Sequence, residues 1–187
     1  MTCRIATHDD IDAVLSLHYR YQVDSMNPED KKDGFVTTAF TPEQLGALIE
    51  KEQGLFIALD GERVVAYVMA ASWPFWSVWP MFAFMIGGLG QLCYRGKPLS
   101  VENSYQYGPV CVDKAYRGSG VLETVFEFAR QQMAPRFPVL VTFINKINPR
   151  SFAAHTRKLG LEVIAEFEYH GNRYYELACE TDKHLPL

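Results

Sequence analysis

The 187-residue chain has four cysteines (Cys3, Cys93, Cys111, Cys179) but no Cys-x-x-Cys pair, and no histidine stands near them at zinc-ligand spacing. That argues against a zinc ribbon or disulfide scaffold, so no metal is expected. Buried reduced thiols are the simpler reading, and they point to the cytoplasm. A basic excess is also missing. The formal charge is −4, and a nucleic-acid partner calls for a basic face, so none is expected. The first ten residues carry Arg4, His8, Asp9 and Asp10 and hold no signal-peptide core. Repeats, linkers and low-complexity tracts are absent. Charge disappears altogether from Val64 to Tyr94. Even so, Pro74 and Pro80 cut that run and Gly87, Gly88 and Gly90 loosen it. What remains is one helical piece from Met81 to about Tyr94, short of the roughly 20 residues that span a bilayer. No stable membrane insertion is expected.

What the chain does have is an apolar content of 48% and a charged content of 21%. These fit one soluble globular domain over residues 1–187, large enough for a substantial core. Cys3 to Ala6 reads as a first strand. Thr7 with Asp10 forms a capping box for a helix reaching about Gln22. Asp24 to Asp33 is a polar loop with a solvated rim of charge. Thr41-Pro42-Glu43-Gln44 starts a second helix, ended by Gly54. Leu55 to Leu59 and Arg63 to Ala70 make a hairpin about Asp60-Gly61. A strand from Asn103 to Val112 contains Gly108-Pro109, where a bulge or splayed edge is expected because proline cannot donate to a ladder. Val139 to Asn145 is a strand buried on both faces. A short helix over Ser151 to Leu159 stops at Gly160, and a hairpin of Leu161 to Tyr169 with Arg173 to Cys179 closes the chain.

The organising stretch runs from Val110 to Leu122, a strand that turns through Arg117-Gly118-Ser119-Gly120 straight into a helix. Val121, Leu122, Val125, Phe126, Ala129 and Met133 recur at helical spacing, and Glu123, Glu127 and Arg130 take the opposite face. Pro135 stops the run. A helix N-terminus carries unpaired N–H groups and partial positive charge, so such a turn suits a phosphate. It could equally be an ordinary strand-to-helix turn.

This stretch resembles the acyl-CoA-binding signature of the GNAT N-acyltransferase superfamily, Arg/Gln-x-x-Gly-x-Gly/Ala. Arg117 fills its first position and Gly120 the first glycine. Leu122 stands last, where the family prefers Gly or Ala. Asn148-Pro149-Arg150-Ser151 through His155, ending at Leu159-Gly160-Leu161, is similar to a second family segment. The order β-α-α-β-β-β-α-β-α-β-β matches that fold as well. The resemblance implies an α+β domain built on a twisted mixed sheet of about seven strands, with two parallel strands splayed apart and about four helices around it. It implies acetyl-CoA as co-substrate, with Val110, Cys111, Val112, Arg117, Gly118, Ser119, Gly120, Val121, Leu122 and Asn148 contacting it. The acceptor would be an amine of a small molecule or peptide.

Amide formation needs a neutral amine and a proton for the departing thiolate. His155 matches the family position at the sulfur. One extra residue separates it from Gly160, so counting back from the glycine selects Thr156 instead, and both remain candidates. Glu102 is the candidate base or else a surface carboxylate. Tyr105 and Tyr107 could hold a water or be ordinary strand aromatics. Direct attack on the thioester requires no covalent nucleophile, so Cys111 is a wall residue. The aromatic insert at 73–100 is expected to wall the acceptor pocket or to bury itself in a homodimer. Two other readings stay open: a non-catalytic acyl-CoA sensor of the same fold, and a peripheral interaction module organised by the insert.

Overall fold

The computed structural model describes residues 1–22, 26, 38–183 and 185. The polar loop read over Asp24 to Asp33 therefore lies, apart from Met26, outside the described residues. The described residues form nine strands: β1 (Thr2–Ile5), β2 (Leu55–Asp60), β3 (Arg63–Ala71), β4 (Cys93–Tyr94), β5 (Lys97–Pro98), β6 (Ser104–Val112), β7 (Val139–Asn145), β8 (Glu162–Tyr169) and β9 (Asn172–Glu180). The α-helices among the described residues are α1 (Ile11–Tyr21), α2 (Pro42–Ala47), α3 (Trp73–Trp76), α4 (Pro80–Leu89), α5 (Val121–Met133) and α6 (Pro149–Ala153). Seven strands share one sheet in the order β1-β2-β3-β6-β7-β9-β8, while β4 and β5 make a separate hairpin. This is the expected mixed sheet. The helices exceed the expected four because the insert contributes α3 and α4.

The caps behave as their chemistry dictates. The Thr41 hydroxyl accepts from the Gln44 N–H at 3.2 Å and the Gln44 amide accepts from the Thr41 N–H at 2.9 Å. At the other helix start only half of that box forms: the Asp10 carboxylate accepts the Thr7 N–H at 2.7 Å, while the Asp10 N–H donates to the Thr7 carbonyl at 3.0 Å. Each face of the sheet buries its own core. One core lies under α1, α2 and the insert, the other under α5. Leu140 and Ile144 of β7 face the second and Val141 faces the first, so β7 is buried on both sides as its apolar run requires.

Among the described residues only β6 and β7 run parallel, and their backbone ladder stops early: Ser104–Gln106 lie against Val139–Val141 and no backbone pair follows. On its other edge β6 continues along β3, where Val68 faces Val110 but Ala70 faces Tyr107. Three steps on β6 thus match two on β3. The extra residue falls at Gly108-Pro109, a bulge placed where proline has no N–H to give. The bulge accompanies the point at which β6 parts from β7, opening the slot.

Two expectations need correction. Glu127 and Arg130 do not face solvent; they are 5% and 2% exposed. The Arg130 Nε donates to the Glu127 carboxylate at 2.8 Å, and its guanidinium also reaches the Thr181 carbonyl. Glu127 further accepts the Leu185 N–H. The chain beyond β9 folds back over this helix face, which converts a polar stripe into a buried, fully paired one. The helical piece of the insert is also shorter than the stretch from Met81 to about Tyr94. Helix α4 runs from Pro80 to Leu89 and Gly90 ends it before the β4–β5 hairpin, while a separate short helix, α3, precedes Pro80. Trp73 and Trp76 are fully buried, their indole N–H groups bonded to the Ser104 hydroxyl at 3.0 Å and the Gln106 carbonyl at 3.1 Å. No helix among the described residues is long and apolar enough to cross a membrane.

Candidate functional site

The slot between β6 and β7 holds two pockets. The first is lined by Val110, Cys111 and Val112 of β6, by Arg117, Gly118, Gly120 and Leu122 of the turn and helix start, and by Asn148, Ser151 and His155 from across the gap. Arg150 and Lys158 join Arg117 there, so that among the described residues three cations face the single carboxylate of Glu123. Gly120 caps α5 with φ of +88° and Gly118 has φ of +78°, left-handed conformations that favour glycine. The first intrahelical bond runs from the Thr124 N–H to the Gly120 carbonyl. The N–H groups ahead of it emerge at the pocket end of the helix, where the dipole is positive.

The turn is braced from behind. The Asp113 carboxylate is 4% exposed and accepts from the Ala115 N–H and from Arg20 and Arg63. Burial alone would raise its pKa, but the Ala115 N–H and the two guanidiniums outweigh it and hold the carboxyl below its ordinary range. The Arg117 Nε donates to the Val112 carbonyl at 3.1 Å, and its guanidinium lies over the Tyr21 ring. Cys111 is buried, and desolvation pushes its thiol up to about 12. It stays a neutral wall group at neutral pH. Ser119 and Val121 do not line the pocket: the Ser119 hydroxyl donates to the Tyr116 carbonyl, and Val121 packs into the core below α5.

The second pocket lies on the far side of the same gap, lined by Thr38, Phe82, Gln106, Tyr107, Gly108, Pro109, Thr142, Phe143, Ile144 and Asn145. Val110, Asn148, Ser151 and His155 line both pockets and mark where they meet. Gln106 is fully buried, its amide nitrogen donates to the Tyr107 carbonyl, and its Oε1 has no partner among the described residues.

The extra residue before Gly160 is absorbed by a π-helical turn over Ala154–Lys158, in which the Leu159 N–H reaches the Ala154 carbonyl five residues back. That turn keeps His155 pointing into the slot. The ring Nδ1 lies 2.8 Å from the Ser151 carbonyl, which only accepts, so Nδ1 carries the proton. Nε2 then accepts from the Tyr107 hydroxyl at 3.2 Å. Burial lowers the pKa of His155 and leaves it neutral. Burial likewise holds Tyr107 well above the ordinary phenol value, so it keeps its proton. Thr156 lines neither pocket; its hydroxyl donates to the Phe152 carbonyl at 2.8 Å.

The structure does not bring Glu102 or Tyr105 to the site. Glu102 is exposed in the turn before β6, at the end where β6 and β7 are still paired, and the slot opens only beyond Gln106. Tyr105 points into the core against Phe137. Reading the sequence alone gave no role to Lys158 or Gln106 and understated Tyr107. The alternation of β6 sets Tyr105 and Tyr107 on one face, and they differ in that Tyr105 lies within the β7 ladder while Tyr107 stands just past its end at Gln106.

No family model and no curated protein sequence matches this chain. Solved structures do. A putative acetyltransferase, yncA, from Salmonella typhimurium with acetyl-CoA bound matches at TM-score 0.65 and 16% identity, over 98% of this chain and 95% of that one. A ribosomal-protein-alanine N-acetyltransferase from Brucella melitensis matches at 0.63 and 17%, over 96% and 99%. A GNAT-family acetyltransferase from Streptococcus agalactiae matches at 0.65 and 12%, over 97% and 96%. The fold is that of the GNAT acetyltransferases. These matches extend over 96–98% of this chain.

Proposed function

We propose that the protein transfers an acetyl group from acetyl-CoA to a primary amine of a small molecule or peptide, by direct attack of the amine on the thioester. The observation that carries this reading is the meeting of two pockets at Val110, Asn148, Ser151 and His155, in the gap between the splayed strands. On the first side the pyrophosphate rests at the N-terminus of α5, with Arg117, Arg150 and Lys158 supplying positive charge. Pantetheine runs along Val110 to Val112, where the β7 ladder has ended and backbone groups not already held by Arg117 can bond its amides. The thioester then reaches the junction. The amine enters from the second pocket, whose buried Gln106 Oε1 awaits an N–H donor.

Positioning supplies most of the rate gain. Attack forms the C–N bond and breaks the C–S bond, so the nitrogen loses one proton and the sulfur gains one. No carboxylate lines the second pocket among the described residues. The neutral His155–Tyr107 pair takes the task instead: Nε2 accepts the proton from nitrogen, directly or through water, and the Tyr107 hydroxyl gives one towards sulfur. Transfer across their hydrogen bond restores the pair.

Steady-state kinetics of three variants test the assignment. Tyr107→Phe and His155→Ala should each lower kcat roughly 10- to 1,000-fold with acetyl-CoA binding kept, while Thr156→Ala stays within a few-fold of the parent. A severe Thr156 variant beside mild His155 and Tyr107 variants would overturn it.

A further inference from the structure

Glu176 takes no part in that chemistry. It sits on β9 between Phe143 of β7 and Ala165 of β8, is 4% exposed, and its Oε2 has no hydrogen-bond partner among the described residues. A buried carboxylate without a partner is costly, so the group must hold a proton or meet a cation. Burial pushes its pKa up to about 7, which keeps both options within reach near neutral pH.

The carboxyl does not face a closed core. It lines a groove of about 560 Å³ between the outer side of α4 and the edge strand β8. This groove shares no lining residue with either pocket of the slot. Its walls are largely apolar, with Phe84, Met85, Leu92 and Phe167 prominent. Gly87 and Gly88 also line it, and a Cβ added at either would meet nothing within 4 Å, so this wall is held open by missing side chains. Phe84 is half exposed and lies against Phe167 and Tyr169, a preformed aromatic corner. The other acid at the groove, Glu166, is already paired with Lys146 at 2.8 Å, and among the described residues no lysine or arginine lines the groove.

We propose that this groove is a second ligand site, which takes a small organic cation with an aromatic body and pairs its charge with Glu176. The volume suits a small molecule, the walls suit an apolar ring, and the unpaired carboxyl supplies the fixed polar contact that sets orientation. The planar N–H fork of an amidinium or guanidinium matches a carboxylate best, and aromatic neighbours favour a cation further.

Benzamidine is the probe, with benzamide as its neutral counterpart of nearly the same shape. Neither is a competent amine acceptor at neutral pH, so calorimetric titration without acetyl-CoA reads this site independently of acetyl transfer. The parent should bind benzamidine at least about tenfold more tightly than benzamide. Glu176→Gln should remove that preference, and Gly88→Trp should block both ligands. Acetyl-CoA affinity should be unchanged in both variants, which also reports that they are folded. Equal affinity for the two probes, absence of benzamidine binding by the parent, or retention of the preference in Glu176→Gln would each overturn the proposal.

Discussion

Replacing Gly120 separates the role of this turn in folding from its role in binding. Its φ of +88° costs an L-residue about 1–2 kcal/mol. Space is not the obstacle, because an added Cβ would meet nothing closer than the Glu123 carboxylate at 3.9 Å. Gly120→Ala should therefore lose about 1–2 kcal/mol, a fall in Tm of roughly 2–8 °C for a domain of this size. Gly120→Asp carries the same backbone strain, but its negative charge at the helix N-terminus returns about 0.3–1 kcal/mol. Repulsion from the nearby Glu123 carboxylate offsets that return, so the Asp and Ala variants should be about equally stable. Ligand response should separate them. Acetyl-CoA at a hundred times its Kd adds about 2.7 kcal/mol, a rise of roughly 5–10 °C. That rise should survive in part in Gly120→Ala and vanish in Gly120→Asp, where a carboxylate occupies the phosphate position. Thermal unfolding with and without acetyl-CoA reads both comparisons at once. Equal ligand-induced shifts in the two variants would refute placement of the phosphates at this helix end.

Acid stability offers a second test. Glu176 is raised from 4.5 to about 7, so the folded state holds a proton that the unfolded chain has shed, and stability falls by about 3 kcal/mol as pH rises through that window. His18, whose Nε2–H donates to the Thr38 carbonyl while Nδ1 accepts from Tyr67, is lowered by burial from 6.5 to about 4 and acts with opposite sign: its contribution is lost as pH falls through that window. The two nearly cancel between about pH 4.5 and 6.5. Glu176→Gln should expose the His18 slope in denaturant titrations taken across pH, and a variant curve parallel to the parent would contradict this. In the insert, Trp76→Ala should cost about 3–5 kcal/mol because the ring is core and its N–H is bonded to Gln106. Phe82→Ala, at the wall of the second pocket, should instead raise the KM for the amine while the acetyl-CoA KM holds. A change confined to acetyl-CoA would reassign that pocket.

The turn at Arg117–Gly120 and its helix were legible because strand alternation, glycines and a 3.6-residue repeat are local signals. So was the bulge, since proline's missing donor is visible in any sequence. Glu127 and Arg130 were misread because their carbonyl and N–H partners, Thr181 and Leu185, lie more than fifty residues on. No local pattern carries that contact. The choice between His155 and Thr156 depended on whether the extra residue shifted the helix face or widened one turn. The π turn at Ala154–Lys158 widens it, leaving the Thr156 hydroxyl on the Phe152 carbonyl and His155 in the slot. Glu102 failed as a base for a geometric reason: it precedes the paired end of β6, and the slot lies beyond Gln106.

The central claim is that acetyl-CoA and an amine meet at His155 and exchange an acetyl group there. Its most direct test mixes the parent protein with acetyl-CoA and a panel of primary amines, following free thiol and N-acetylated product together. At least one amine should raise thiol release well above the rate without amine, with one acetylated amine formed per thiol, and Tyr107→Phe should depress both equally. Stabilisation by acetyl-CoA with no amine-dependent thiol release across the panel would contradict the claim and leave a protein that binds the thioester without turning it over.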